Sequence, residues 1–196
     1  MKKVVSKDGC MYSLERLYDD PALIKQFYLW QINEAEKDHF CFEPVVAEKE
    51  EYTDEGWVTF LGGFDKIVKR SFYFMLKNTT INEYLGWICL GNFNMRNFCA
   101  DLSFYFPTEN RHKGYGTIII DLCLAMVFDK EFFWPLHKLY AETGSFNTSS
   151  IRLLEKSGFI LDGKIRDHYW LGNEKYDQYI YTLLRSEYFQ NNGDSV

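Results

Sequence analysis

The sequence contains no apolar run close to the roughly 18 residues that a membrane-spanning helix requires. No apolar segment follows the N-terminal lysines, so no secretory signal peptide is evident. Internal repeats and low-complexity segments are also missing. At 196 residues the chain is long enough for one sizeable core. We predict a single domain over residues 1–189 without a membrane span, followed by a disordered tail over residues 190–196.

The cysteines lack the spacing of a metal or redox site. There are five, an odd number, and no two form a C-x-x-C pair. Their flanking residues are apolar, which is typical of buried thiols. We expect no metal, and we expect reduced thiols in a cytoplasmic protein at Cys10, Cys41, Cys89, Cys99 and Cys123.

The chain also lacks an excess of basic residues. Lys and Arg number 22 against 28 Asp and Glu, which gives a net charge of −6 at pH 7. A nucleic-acid partner requires a basic face, so this balance argues against one. The acidity is compatible with a cationic amine substrate, although surface acidity more often serves only solubility. Aromatic residues reach 18%, which indicates either an aromatic-rich core and pocket or a compositional bias.

Strand and helix patterns alternate along the chain. Strand-like runs lie at 12–17, 71–77, 84–90, 98–106, 138–143, from 159 onward and at 176–184, and helix-like runs lie at 21–33, 54–69, 117–128 and 149–157. Early strands that pair in antiparallel fashion, followed by strands that alternate with helices, predict an α+β fold. Its central sheet is mixed, mostly antiparallel and six to seven strands wide, with helices on both faces.

The ends of these elements carry residues suited to caps and turns. N-caps are expected at Asp20, at Asp54 and at either Asn147 or Thr148. Gly158 suits the left-handed residue that ends a helix. Turns are expected at Asp162-Gly163 and at residues 171–175.

The most informative stretch joins the strand at 98–106 to the helix at 117–128. It consists of Arg111, His112, Lys113, Gly114, Tyr115, Gly116 and Thr117. Glycines let the backbone approach a ligand, and the helix start supplies unpaired N–H groups and partial positive charge. This combination predicts a phosphate ligand. Ile119 stands where a dinucleotide fingerprint needs its third glycine, and no Gly-Lys-Ser/Thr of a Walker loop occurs.

A second motif follows at residues 147–159. Together the two motifs resemble the GNAT superfamily of acyl-CoA N-acyltransferases, through Arg111, Gly114, Gly116, Asn147, Ser150, Leu153, Glu155, Lys156, Gly158 and Phe159. Residues 100–106 and 163–187 are similar to the branch that contains ribosomal-protein N-terminal and polyamine acetyltransferases. The resemblance implies a GNAT-like fold and acetyl-CoA as co-substrate. It also allows a homodimer in which the aromatic-rich C-terminal strand pairs across a two-fold axis.

The resemblance also implies where CoA binds. In the family the pyrophosphate lies on the turn that corresponds to residues 111–117, and the pantetheine lies between two splayed parallel strands. A backbone N–H near the end of the first strand then polarises the thioester carbonyl; the candidates are Phe104, Tyr105 and Phe106. Asn147 is implied as a pantetheine contact and Ser150 as a further cofactor-binding residue, although Asn147 could serve as a helix cap alone. Arg111 and Lys113 could form only a solvated turn, and a neutral His112 adds little.

An amine acceptor must lose a proton before it attacks, because an alkyl amine has a pKa of about 10. Glu142 stands where other family members carry a candidate general base. Asp101 lies on the facing strand, at a position that is often acidic in this branch. Each carboxylate could instead order a water molecule, attract a cationic substrate or serve as a structural partner.

One position departs from the family pattern. Many relatives carry a tyrosine that protonates the CoA thiolate, and this chain has Leu154 there. Ser149, Ser150 or Tyr169 could replace it, or no acid is needed, because a thiol pKa of about 8.5 makes the thiolate a tolerable leaving group. Leu154 also fits plain core packing.

These observations favour an N-acetyltransferase that moves an acetyl group from acetyl-CoA to a primary amine by direct attack in a ternary complex. The acceptor is a small-molecule amine or a protein N-terminus. Acidic residues over positions 34–51 favour a cationic amine, unless they form only a solvated loop. The alternative is an acyl-CoA-binding sensor or partner protein without efficient transfer, which the missing tyrosine motivates. A third reading, a phosphate-binding domain of another fold, would need both motifs to agree by chance.

Overall fold

The structure is a computed structural model that describes residues 4–5, 9–34, 51–68 and 71–192. The strands within these residues are β1 (Val4–Val5), β2 (Met11–Arg16), β3 (Phe72–Asn78), β4 (Glu83–Asn94), β5 (Cys99–Tyr105), β6 (Lys138–Gly144), β7 (Ile160–Leu171) and β8 (Glu174–Leu184). The helices are α1 (Pro21–Glu34), α2 (Asp54–Val68), α3 (Tyr115–Val127), α4 (Thr148–Lys156) and α5 (Arg185–Asn192). Short 3-10 helices occupy Leu17–Asp19 and Thr108–Asn110.

The strands of the described chain form one sheet in the order β1-β2-β3-β4-β5-β6-β8-β7. Every neighbouring pair is antiparallel except β5 and β6, which run parallel. A parallel pair needs a crossover, and here α3 makes that connection. The prediction of a mixed, mostly antiparallel sheet is confirmed; it has seven long strands and the two-residue β1.

Helices pack on both faces of the sheet, as the sequence predicts. On one face, α3 and α4 cover a core that includes Ile88, Leu102, Ile119 and Leu139. On the other face, α1 and α2 cover an aromatic core that includes Phe27, Trp87 and Tyr105. Alternation along β5 therefore directs Leu102 to the α3 face and Tyr105 to the α1 face. The apolar surface of α3 explains its burial, because a helix that is apolar nearly all round must be covered.

Most of the predicted helix ends are confirmed. The carboxylate of Asp20 accepts a hydrogen bond of 2.8 Å from the backbone N–H of Ala22. Gly158 has φ +87°, the left-handed conformation expected after α4. The cap of α2 differs from the prediction: the Thr53 hydroxyl accepts from the N–H of Gly56 at 3.0 Å, and Asp54 is the first helical residue.

Three further predictions on local structure need correction. The Asp162-Gly163 pair does not form a turn but lies within β7, where the register shifts between Leu161 and Gly163. Asp162 accepts a hydrogen bond of 2.7 Å from the hydroxyl of Thr182 on β8, so a cross-strand contact overrides its turn propensity. α3 begins at Tyr115, two residues before the predicted start. The long strand β7 also begins at Ile160 rather than at Phe159.

The C-terminal part also differs from expectation. α5 continues to Asn192, so residues 190–192 of the predicted tail are helical; residues 193–196 lie outside the described residues. The aromatic-rich strand β8 lies between β6 and β7; β6 pairs with its residues 178–184, and β7 pairs with it between residues 174 and 182. The homodimer stays a prediction.

Three of the cysteines are buried: Cys89, Cys99 and Cys123. Cys10 is half-buried, and Cys41 lies outside the described residues. Burial raises the pKa of the Cys89 thiol to about 12, which suppresses its thiolate form. Within the part of the chain that the structure describes, no helix has the length and hydropathy needed to cross a membrane.

Candidate functional site

The sheet opens between β5 and β6. These strands pair at only three positions, Cys99 with Lys138, Ala100 with Leu139 and Asp101 with Tyr140. Beyond these pairs both strands continue, to Tyr105 and Gly144, without pairing to each other. Backbone polar groups on the two separated edges therefore face the opening instead of a partner strand. This divergence creates a binding slot inside the sheet.

A cavity of about 400 Å³ occupies the opening. Side chains from both faces of the sheet line it, so the cavity crosses from the α3 face to the α1 face. The lining residues are Leu102, Ser103, Phe104, Tyr105, Phe106, Asn110, Arg111, His112, Gly114, Tyr115, Gly116, Thr117, Ala141, Glu142, Thr143, Asn147, Ser149, Ser150, Leu153 and Leu154. The cavity thus brings together all but two of the residues that the sequence assigned to cofactor binding and catalysis. The two exceptions are Lys113 and Asp101.

Gly114 shapes the end of the cavity at the start of α3. It has φ +84° and precedes the first helical residue, and no side chain of the described residues caps this helix. Nothing lies within 4 Å of the place where a Cβ on Gly114 would project. Within the first turn the N–H of Thr117 donates to the carbonyl of Gly114 at 3.2 Å, and those of Tyr115 and Gly116 have no partner among the described residues. Two unpaired N–H groups at a helix start are suited to an anion.

Gly116 has a different role from Gly114. A Cβ at this position would lie 2.6 Å from Cδ2 of Leu153 on α4. The glycine therefore allows α3 and α4 to approach closely next to the turn. The two glycines of the motif are therefore required for different reasons. Gly114 allows a left-handed backbone conformation, and Gly116 allows close packing of two helices.

Arg111 is anchored to the end of β5. Its Nε donates a hydrogen bond of 2.8 Å to the carbonyl of Phe106, and its guanidinium lies 5.8 Å from the ring centre of Tyr105. The contact fixes a positive charge at the cavity wall. It also gives Arg111 a structural role in the turn, which the sequence did not indicate.

Asn110 is a lining residue that neither sequence motif includes. Its Nδ2 donates a hydrogen bond of 3.0 Å to the carbonyl of Leu85 on β4, which ties the turn to the sheet. The only sequence signal was an Asn in a turn, and such residues are common. His112, two residues after Asn110, has φ +60°, a left-handed conformation that is uncommon outside glycine.

Asn147 is the N-cap of α4. Its Oδ1 accepts a hydrogen bond of 3.1 Å from the backbone N–H of Ser150, which confirms the cap. That bond orients the amide, and its Nδ2 donates no hydrogen bond within the described part of the chain. Because Asn147 also lines the cavity, the cap holds a hydrogen-bond donor ready at its wall. Capping and ligand contact are therefore compatible.

Glu142 lies where the cavity opens onto the α1 face. Along β6, Leu139 and Ala141 pack into the α3-side core, so Glu142 points to the opposite face. One carboxylate oxygen, Oε2, accepts a hydrogen bond of 2.6 Å from Nε2 of Gln178 on β8. Partial desolvation raises the pKa of Glu142 above its ordinary value, the negative charge of Asp101 raises it further, and His168 opposes both. A carboxylate with a raised pKa is a better proton acceptor than an ordinary one.

Asp101 stands next to the opening without lining it. It is paired with Tyr140 across the last parallel pair of β5 and β6, and its Oδ2 accepts a hydrogen bond of 2.7 Å from Nδ2 of Asn92. The structure brings Asp101 close enough to Glu142 to affect its pKa. Two carboxylates thus share one face of the sheet beside the cavity.

Leu154 is buried, with 1% of its surface exposed, and packs in the α3-side core. This agrees with the expectation that Leu154 serves core packing. The lining residues that carry hydroxyl groups are Ser103, Tyr105, Tyr115, Thr117, Thr143, Ser149 and Ser150. Tyr169, the third candidate for the missing acid, is not among the lining residues. Its ring lies against Phe146, 6.0 Å between centres, at the β7 side of the sheet.

Two other expectations concern metals and charge. Among the described residues, no group of three or more His, Cys, Asp or Glu side chains could hold a metal ion. Most of the acidic segment that favoured a cationic acceptor, residues 35–50, lies outside the described residues.

Comparisons with known proteins agree with this geometry. Residues 19–180 match the family model described as an acetyltransferase (GNAT) domain. A solved structure of spermidine N-acetyltransferase from Vibrio cholerae, in complex with CoA and spermine, is similar at a TM-score of 0.72 and 18% identity, and the match covers 91% of this chain and 98% of that one. Mutant forms of the spermidine/spermine N-acetyltransferase SpeG from Vibrio cholerae match at a TM-score of 0.69 and 17% identity, covering 92% of this chain and 98% of that one. No curated protein sequence matches the chain.

Proposed function

The chain belongs to the GNAT family of acetyltransferases and is an acetyl-CoA-dependent N-acetyltransferase, and from this premise we propose that it acetylates a primary amine on a small cationic molecule. One observation carries the proposal. One cavity is lined by the uncapped start of α3, where an anion would bind, and by Glu142, a carboxylate with a raised pKa at the α1 face. An acetyl thioester placed between them would meet an amine arriving from the Glu142 side.

The cofactor part of the proposal rests on three features of the wall. The first turn of α3 and Arg111 would hold the pyrophosphate of CoA, because N–H groups and a guanidinium both bind phosphate oxygens. The separated edges of β5 and β6 would hold the pantetheine through backbone hydrogen bonds, with Asn147 as a further donor. A backbone N–H near the end of β5 would then stabilise the oxyanion that forms on the acetyl carbonyl.

Glu142 would accept the proton of the incoming ammonium group. The amine has a pKa of about 10 and is charged at neutral pH, so it must lose a proton before its lone pair attacks. The raised pKa of Glu142 suits this task. Orientation of the amine against the thioester would supply much of the remaining rate acceleration.

The acceptor is proposed to be a cationic amine because two carboxylates, Glu142 and Asp101, face the side from which it would arrive. A second ammonium group on the same molecule would be attracted to the charge of Asp101. The related solved structure in complex with CoA and spermine supports this class of acceptor. A protein N-terminus, which presents one amine next to a peptide chain, is the competing acceptor.

A steady-state assay tests the proposal. Thiol release from acetyl-CoA is measured with polyamines, with aminoglycosides and with peptides that begin with Ala or Ser, each against hydrolysis without an acceptor. Turnover with polyamines above all other acceptors is the expected result. Turnover restricted to peptides would refute the cationic small-molecule acceptor, although not amine acetylation itself.

The cofactor site is tested separately by titrating acetyl-CoA into Arg111→Ala. The matched control is Arg152→Ala, because Arg152 is an exposed arginine on the neighbouring helix α4 and does not line the cavity. Arg111→Ala should weaken binding about tenfold or more, since a hydrogen bond to a charged group contributes about 1.5–3 kcal/mol. Equal affinity in both variants would contradict the assignment of Arg111.

Leu154 motivates the alternative, an acyl-CoA-binding protein without efficient transfer, because its buried side chain cannot protonate the thiolate. That alternative predicts acetyl-CoA binding with no turnover above hydrolysis on any amine. The same acceptor screen therefore separates an enzyme from a sensor.

A further inference from the structure

Gln178 is a buried polar residue next to the carboxylate proposed to act as the base. It lies on β8, opposite Gly144 of β6, and only 7% of its surface is exposed. We propose that Gln178 is a positioning residue: its amide holds one oxygen of Glu142 and leaves the other directed at the acceptor amine. The inference rests on the proposed role of Glu142 in proton transfer.

The contact itself indicates this role. Nε2 of Gln178 donates to Oε2 of Glu142 at 2.6 Å, which is short, as expected for a bond to a charged acceptor. A buried amide without a partner is costly, so Gln178 has a strong preference for this geometry. The exposed end of Glu142 would otherwise rotate freely about its side-chain bonds. A partner 36 positions further along the chain therefore restricts the orientation of the carboxylate.

The two carboxylate oxygens then have separate tasks. Oε2 is occupied by the amide, and Oε1 accepts no hydrogen bond from the described residues. In the reaction an N–H bond of the ammonium group breaks and an O–H bond forms at Oε1. The freed lone pair attacks the acetyl carbon, the C–S bond breaks and sulfur leaves with the electron pair. The second proton on nitrogen passes to the thiolate or to water.

Charged and titratable groups on three strands face Glu142. Asp101 approaches from β5, Tyr140 lies on the same face of β6, and His168 approaches from β7. His168 lies in the stretch of β7 where the register shifts between Ile165 and Tyr169. Because the charges of Asp101 and His168 act on Glu142, the test must observe the Glu142 carboxylate itself.

The test compares Gln178→Met with the parent protein. Methionine keeps nearly the same length and removes the donor, so the carboxylate loses a stabilising bond. Thr182→Val is the matched control, because Thr182 is buried on the same strand and bonds to Asp162 instead of Glu142. Gln178→Asn, whose amide is one methylene shorter, provides a second, polar variant in case methionine prevents folding.

Two readouts are measured. The first is the pH dependence of kcat/KM with the best acceptor from the screen. The second is a carbon NMR titration of labelled glutamate carboxyls, with Glu142 assigned by its loss in Glu142→Gln. Both Gln178 variants should move the acidic limb and the NMR pKa of Glu142 upward by about one pH unit, because a hydrogen bond to the ionised form holds that pKa down. Thr182→Val should move neither.

The outcomes separate the two hypotheses. If Glu142→Gln lowers turnover while the Gln178 variants leave both the pH profile and the NMR titration unchanged, the positioning role is wrong and the base stands. If the NMR pKa moves but Glu142→Gln keeps full turnover, Gln178 orients a carboxylate that is not the base, and the proposed proton acceptor is wrong. A uniform loss of activity at every pH would mean that Gln178 serves folding alone.

Discussion

Replacing Gly114 with alanine should weaken acetyl-CoA binding more than it destabilises the fold. The residue has φ +84°, and nothing lies within 4 Å of a Cβ built there. The change therefore creates no clash, and its cost to stability is the strain of a left-handed alanine, about 1–2 kcal/mol. The new methyl group projects from a residue that lines the cavity, at the start of α3.

The effect on binding follows from the N–H groups of the same turn. If the backbone relaxes to relieve the strain, at least one hydrogen bond to the pyrophosphate is lost, which corresponds to about 1.5–3 kcal/mol and tenfold or more in affinity. Acetyl-CoA at one hundred times its Kd stabilises the parent protein by about 2.7 kcal/mol. For a domain of this size that raises Tm by about 5–10 °C. The variant should lose about half of this increment.

Gly172→Ala is the matched control for Gly114→Ala. Gly172 has φ +59° and open space around its Cβ position, and it lies between β7 and β8 instead of at the cavity. Thermal unfolding of both variants, with and without acetyl-CoA, should show similar losses without the ligand and a reduced ligand increment only in Gly114→Ala. Equal increments in the two variants would refute the assignment of the α3 start as the phosphate site.

Three further predictions concern catalysis and stability. Glu142→Gln should lower kcat about 100-fold while a titration shows unchanged acetyl-CoA affinity, because only proton transfer is lost. In the parent protein, kcat/KM should fall as the pH is lowered. This fall should occur above the ordinary glutamate pKa, since the base must be ionised and the pKa of Glu142 is raised. Tyr181→Phe should lower the free energy of unfolding in urea by about 1 kcal/mol, because the buried hydroxyl loses its bond of 3.0 Å to Glu155; unchanged stability would mean that water replaces that partner. The ion pair with Lys164 lowers the pKa of Asp177, so the carboxylate stabilises the fold above its unfolded-state pKa, and this contribution is lost as pH falls. Asp177→Asn should therefore have a lower Tm than the parent at neutral pH and the same Tm in strong acid. A Tm difference that persists in acid would contradict this linkage.

The glycine turn shows how much of the site is local. Gly114 has a left-handed conformation and the next residue starts a helix, so neighbouring residues alone specify a turn that is suited to an anion. Asn147 is likewise a local feature, because its cap bond spans only three residues. Both could be predicted from the sequence for this reason. The two roles of the glycines could not, because the reason for Gly116 is a contact with Leu153 on another helix.

The surroundings of Glu142 depend on distant parts of the chain. Sequence spacing placed Glu142 on a strand face, but its partner Gln178 comes from β8 and could be recognised only when β6 and β8 were paired in register. Asp162 was misassigned for the same reason. Its local pattern favours a turn, and a hydrogen bond from Thr182 on the neighbouring strand holds it in a bulged strand instead.

The amino-acid sequence by itself determined the order of the elements, the mixed character of the sheet, the glycine turn at the start of α3 and the family. These properties depend on apolar periodicity, caps and short motifs, which act over a few residues. Only the tertiary structure decided where β5 and β6 separate, how large the cavity is and which side chains meet Glu142. Strand pairing decides these features, and it joins residues far apart in the chain through backbone hydrogen bonds that carry no local sequence signal.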